Sequence, residues 1–319
     1  MEDVKINLNI DKELFTPLKE DEKNFEQIVR PSVGFWADAW RRLKTNKVAI
    51  FSLGLIILII LSAILGPIIF KAWKGYTYYD TNLDATNLRP SLDHIFGTDH
   101  LGRDLFVRVM YGARYSLIIA FSAAFINLII GVLYGGIAGF VGGTVDNIMM
   151  RIVDVLYSIP TQIYVIILMA ALKKEGSSGL VTIILAMAIS YWVGMARIVR
   201  GDILQLKQQE FVLAAKALGA SKTRVLFKHL IPNAIGSILV TLTLFIPSAI
   251  FTEAFLSFIG LGINAPLASL GTLANDASGF LRTAPYQLLF PAGAICVIIF
   301  AFNLLGDGLT EALDPKNKK

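Results

Sequence analysis

Few residues in this chain could do chemistry, and their spacing argues against a reaction. Asp99 and Arg103 stand among Thr98 and His100, but no nucleophile, base and orienting group accompany them, so a structural loop is the favoured reading. Three histidines and a single cysteine offer no metal-ligand spacing. Cys296 lies in an apolar run and reads as packing. No G-x-x-x-x-G-K-[ST] phosphate loop occurs, so the chain is expected to have no ATPase site, no catalytic residues, no metal and no cofactor of its own. The remaining candidates are polar groups inside apolar stretches. Arg151 and Asp154 are three apart on a helix and able to pair. Glu253 is flanked by Thr252 and Phe255, and Asn303 and Asp307 stand at i and i+4. Charge in such surroundings is costly unless paired or facing water. It therefore marks either a pathway or gate, or a structural pair and a hydrogen-bonded acid. Pro160, just after this first pair, should kink its helix and give a bend during opening.

The elements that must position these groups are membrane spans. Of 319 residues, 55% are hydrophobic and 17% charged, more apolar than a soluble domain. The net charge of +5 does not point to nucleic acid, because the bases sit between apolar runs rather than along a soluble face. The first run, 48–70, would reach about 34 Å as a helix, enough to cross a bilayer. Others lie near 115–140, 148–172, 180–199, 234–261 and 286–305, giving about six transmembrane helices in an all-α integral membrane protein. Mostly polar residues precede the first run, so it reads as a retained anchor rather than a signal peptide. Twenty of the 29 Lys and Arg residues fall on one side if the N-terminus is cytoplasmic, as the positive-inside rule requires. Lys173 and Lys174 count among the bases outside. Both termini are therefore expected in the cytoplasm, with the chain in the cell membrane.

Residues 1–47 read as a flexible cytoplasmic segment ending in an interfacial helix. Phe35, Ala39 and Leu43 form one stripe, Trp36 and Trp40 flank it, and Arg41, Arg42 and Lys44 crowd the other side. Residues 71–112 form an extracytoplasmic segment opened by a belt of Trp73, Tyr76, Tyr78 and Tyr79. The core is 113–308, followed by a cytoplasmic tail, 309–319. Gly131, Gly135, Gly139 and Gly143 make a strip of small residues for close helix contact. Within the core, 201–232 is too polar for lipid. Glu210, Ala214 and Leu218 fall at i, i+4 and i+8, with Phe211, Ala215 and Leu218 as a neighbouring stripe. Gly219 should stop this helix, Ser221 should cap a second one, and Pro232 should end that. The product is a helix–Gly–helix elbow in the cytosol whose apolar residues need a cover.

These residues carry a resemblance. Glu210-Phe-Val-Leu-Ala-Ala215, Gly219-Ala220 and His229-Leu-Ile-Pro232 resemble the EAA loop of ABC importer permeases, with Phe211 in place of the loop's first alanine. Phe96-Gly-Thr-Asp-His-Leu-Gly-Arg-Asp104 is similar to the FGTD-x-x-GRD element of the oligopeptide and dipeptide branch. Its members here are Gly97, Thr98, Asp99, Gly102, Arg103 and Asp104. Tyr111 to Leu117, Met150 to Asp154 with Ser158 to Pro160, Ala196 to Gly201, Phe302 to Gly308 and Leu313 to Pro315 follow the same branch. The likeness covers the chain from about Phe51 to the end.

The resemblance implies a type I ABC importer permease fold whose elbow couples to separate ATPase subunits. The coupling residues would be Glu210, Phe211, Ala214, Ala215, Gly219, Ala220, His229 and Pro232. It further implies a second homologous permease, two cytosolic ATPases that use the ATP, an extracytoplasmic peptide-binding protein and oligopeptide cargo. The extracytoplasmic motif would line a gate or meet the binding protein. Alternatives are a permease for dipeptides, nickel or another small solute and, more distantly, an ion-coupled secondary transporter. The last would show acid clusters in two matching halves, and no internal repeat is evident.

Overall fold

The computed structural model describes residues 34–172 and 176–313. The expectations for residues 1–33, for Lys173 and Lys174, and for the tail beyond Leu313 lie outside the described residues. Helix α1 (Phe35–Thr45) leads into α2 (Lys47–Lys74), and a loop then feeds α3 (Leu105–Val141). Next come α4 (Gly143–Tyr157), α5 (Thr161–Leu172) and α6 (Leu180–Leu206). The elbow follows as α7 (Glu210–Ala217), α8 (Lys222–Arg224), a π-helical turn (Val225–Leu230) and α9 (Ile231–Asn233). The chain closes with α10 (Ile235–Phe258), α11 (Leu270–Ser278) and α12 (Tyr286–Leu313).

Among the described residues five helices, α2, α3, α6, α10 and α12, are long and apolar enough to cross a membrane. The third span of the sequence reading, 148–172, is a bent pair: α4 and α5 meet at 86°. Pro160 therefore does more than kink a helix. Helix α4 stops at Tyr157, and α5 restarts after the proline, with Ile163 and Tyr164 donating to the Pro160 carbonyl at 3.0 and 3.2 Å.

Helix α3 is the centre of the bundle, and its longest interface is with α6. Glycine makes this approach possible. A Cβ on Gly135 would lie 2.2 Å from the Ala196 carbonyl oxygen, and one on Gly131 2.5 Å from the Met195 Cβ. Gly139 sits against Arg200 and Ile203 in the same way. Gly143 breaks the series: α3 has ended, and nothing lies near its Cβ position. Helix α11 wedges among α3, α10 and α12. It is started by a capping box in which Ser269 and Thr272 bond each other's backbone.

The two ends of the described chain share one face of the bundle, since Asn46 Nδ2 donates to Glu311 Oε2 at 2.8 Å. Leu43 of α1 is buried against Ala49 and Ala312, while Phe35, Trp36 and Trp40 stay exposed, as an interfacial helix requires. The aromatic belt is only half exposed. Trp73 and Tyr79 point outward, whereas Tyr76 stacks on His94 and Tyr78 on Tyr111.

Candidate functional site: the elbow, its anchor and the polar ties

Gly219 sets the elbow's shape. Its φ of +82° is a left-handed conformation that residues with a Cβ rarely adopt, and open space surrounds it. Ser221 then caps α8, accepting from the Arg224 N–H at 3.3 Å. Pro232 does not end the second helix, contrary to the sequence reading. It sits in the first turn of α9, and the path stays helical into α10. The reason lies in the turn before it. Pro232 has no N–H to give the carbonyl four residues back, and the backbone there widens into the π-helical turn. Asn233 Nδ2 donates to the His229 carbonyl at 2.6 Å, and the Ala234 N–H to Leu230 at 3.0 Å.

One residue pins α7 to the bundle, and the sequence reading passed over it. Val212 is the buried residue of α7. It packs in a cluster with Met195, Val199 and Ile203 of α6, Val225, Leu226 and Leu230 of the π turn, and Ile238 of α10. Ala220 packs at the edge of that cluster. The named stripe residues face away: Glu210, Phe211 and Ala214 are exposed, and Leu218 is 89% exposed. With Leu213 and Phe227 they leave an apolar surface uncovered.

Ion pairs brace the elbow's base. Asp154 does not pair with Arg151, which lies exposed on α4. It accepts instead from Arg197 Nη2 of α6 at 2.6 Å, and that guanidinium lies over the Tyr157 ring at 4.0 Å. A helical three-residue spacing permits a pair, but the α6 cation is better aimed. Two turns before Asp154 on α4, the buried Asp146 accepts from Nε and Nη2 of Arg200, at 2.5 and 2.7 Å. Lys207 donates to the Phe140 carbonyl at 2.5 Å. Asp202 accepts from Ser237, tying α6 to α10. Asp307 is exposed on α12.

The opposite end carries the 97–104 motif as a built loop. Gly97 and Gly102 have φ near +77° and +69°, and a Cβ on Gly102 would lie 1.7 Å from the Asn82 carbonyl oxygen. Asp99 accepts from the Leu101 and Arg103 N–H groups and from Arg103 Nε at 2.7 Å. Arg108 Nε lies 3.4 Å from the same carboxylate. Thr98 donates to the Ala85 carbonyl, and its own carbonyl accepts from Tyr286 and Gln287 of α12. Asp104 caps α3, accepting from Val107 N at 3.0 Å with His94 Nδ1 at 2.8 Å. The motif thus fastens the start of α3 to the start of α12.

Glu253 is fully buried and hydrogen-bonded on both carboxyl oxygens. Ser116 of α3 donates to Oε2 and Ser257 to Oε1, each at 2.7 Å. Ser116 in turn accepts from the Leu270 N–H at 3.2 Å. Glu253→Leu would leave both hydroxyls without their acceptor, at about 1–3 kcal/mol for each buried group. The expected outcome is a clear fall in melting temperature in detergent, whereas Glu253→Gln stays close to the native value. Equal melting of all three proteins would refute this role.

Comparison with known proteins fits this architecture. Residues 131–319 match the model of binding-protein-dependent transport system inner membrane components. Residues 34–90 match the N-terminal TM domain of oligopeptide transport permease C. The chain is 53% identical to the oligopeptide transport system permease protein OppC of Bacillus subtilis, over 98% of this chain and 99% of that one. It is 47% identical to the dipeptide transport system permease protein DppC of the same organism, over 96% and 94%. The Escherichia coli OppC is 40% identical over 89% and 92%. Among solved structures, a chain of the MetNI methionine ABC transporter in an inward facing form shares the fold, with TM-score 0.53 and 18% identity. That match covers 65% of this chain and 96% of the other.

Proposed function

We propose that this chain, which belongs to the family of binding-protein-dependent transport system inner membrane components, is the permease subunit of an ATP-driven importer of oligopeptides. The observation that carries the cargo is similarity along nearly the whole of both chains to an oligopeptide permease. Coupling is supported by the elbow. An apolar surface of Phe211, Leu213, Leu218 and Phe227 is held out from the bundle by the buried Val212, and such a surface needs a partner. We assign it to a cytosolic ATPase subunit, with Glu210, Ala214, Ala215, Gly219, Ala220, His229 and Pro232 shaping the contact. A second permease, two ATPases and an extracytoplasmic peptide-binding protein complete the assembly. The elbow end faces the cytosol, where the described ends also lie, and the 97–104 loop faces outward toward the binding protein.

In this reading the braces give the elbow its mechanical use. Closure of the ATPases pushes α7, and Val212 passes the push to α6 and α10. The Arg200–Asp146 and Arg197–Asp154 pairs carry it on to α4. The 86° break before Pro160 lets α4 move against α5. The test is uptake by proteoliposomes holding the four membrane and ATPase subunits with a loaded binding protein. ATP-dependent entry of tetrapeptides is expected. A dipeptide permease, the second reading, has a similar full-length relative behind it; entry of dipeptides or nickel with exclusion of longer peptides would replace the oligopeptide assignment.

A further inference from the structure

We propose that a charge-free polar cleft among α5, α6, α10 and α12 holds the translocating peptide by its main chain, with the side-chain amides of Gln162 and Asn303 as the hydrogen-bonding groups. The proposal rests on the importer reading above. The cleft has a volume of about 410 Å³ and is lined by Gln162, Tyr191, Ser248, Phe251 and Asn303 among others, with no carboxylate, amine, guanidinium or imidazole. It opens on the side of the bundle at mid-span depth: along α10, Ser248 stands about 20 Å from one end and about 15 Å from the other.

The side chains of Gln162, Ser248 and Asn303 are not tied tightly into the fold. Tyr191 Oη and Thr252 Oγ1 bond each other at 2.5 Å and close one wall. The Ser248 hydroxyl reaches only the Leu244 carbonyl, at 3.5 Å. The side chains of Gln162 and Asn303 make no hydrogen bond among the described residues, although both are exposed. Two primary amides without partners at mid-membrane depth are costly against lipid, so their surroundings must supply hydrogen bonds. A primary amide donates and accepts, which matches the N–H and C=O of a peptide unit. A site built only from neutral groups offers no fixed charge to select among cargo side chains. Two other cavities among the described residues differ in kind. One, near Arg103, Arg108 and Asp276, is charged, and one between α2, α3 and α12 is almost wholly apolar.

The experiment uses the complete importer in proteoliposomes, at saturating binding protein loaded with tetra-alanine or with its counterpart N-methylated at the central amides. The native complex should carry tetra-alanine faster, because methylation removes main-chain donors. The double variant Gln162→Leu, Asn303→Leu should lose about tenfold in tetra-alanine uptake and carry both peptides at the same rate. The double variant Gln162→Asn, Asn303→Gln should keep the discrimination. Membrane yield and assembly with the ATPase subunits should persist in both, since the elbow is untouched. Unchanged uptake, an equal proportional loss for both peptides, or a complex that dissociates from its second permease would overturn the proposal. The last result would make the cleft a subunit contact. Failure of the importer reading itself would show differently, as no ATP-dependent uptake by the native complex.

Discussion

Gly135→Ala is expected to abolish the folded protein, although it adds one methyl group. The added Cβ would sit 2.2 Å from the Ala196 carbonyl oxygen and 3.0 Å from its Cα. These are backbone atoms of a packed helix, so no rotamer change relieves the contact, and α3 must move away from α6. Overpacking usually costs about 1–3 kcal/mol, and displacement of the bundle's longest interface should exceed that range. A protein stable by about 5–15 kcal/mol has little margin for this. Gly194→Ala provides the control on the facing helix. Nothing lies near its Cβ position and its φ is ordinary, so alanine should be neutral or stabilise by up to about 1 kcal/mol. Monodisperse yield in detergent and melting temperature decide the matter. A Gly135→Ala protein that melts like the native one would show that α3 and α6 are not held at this distance.

Leu218→Asp should leave the permease folded and silence its coupling. Leu218 is 89% exposed and follows α7 at the tip of the elbow, so a carboxylate there costs the isolated chain almost nothing. Against an ATPase it would bury an unpaired charge at an apolar contact. A loss of about 2 kcal/mol or more at such a site corresponds to roughly thirtyfold weaker docking. Peptide-stimulated ATP hydrolysis should fall accordingly, with normal membrane insertion and melting. Val212→Asp should do the opposite. Its charge would enter the sealed cluster beneath α7, and the elbow itself would unfold. Normal coupled hydrolysis by Leu218→Asp would remove the elbow from the proposed contact.

The long helices are legible in the sequence because apolar runs of this length have few other uses, yet their ends are not. Helix α3 begins at Leu105 rather than near Tyr115. Arg108 interrupts the apolar run there, but it is buried, donating to the Tyr78 carbonyl at 3.0 Å with Asp99 beside it. Helix α11 escaped notice because nine residues are too short for a hydrophobic window; the Ser269–Thr272 pairing was its available signal. The elbow was readable from Gly219 and Ser221, since both act locally. Val212 was not, because its burial depends on α6 and α10 meeting beneath it. The Arg151–Asp154 error has the same origin. Spacing along one helix reveals local partners only, and Arg197 comes from 43 residues away.

The composition of the native complex tests the central claim most directly. The complex would be extracted in mild detergent through a tag on this chain, and its mass and subunits determined. One copy of this chain with one homologous permease and two ATPase subunits is expected, with loss of the ATPases alone in Leu218→Asp. A lone, stable chain that moves solute across vesicles without ATP would contradict it.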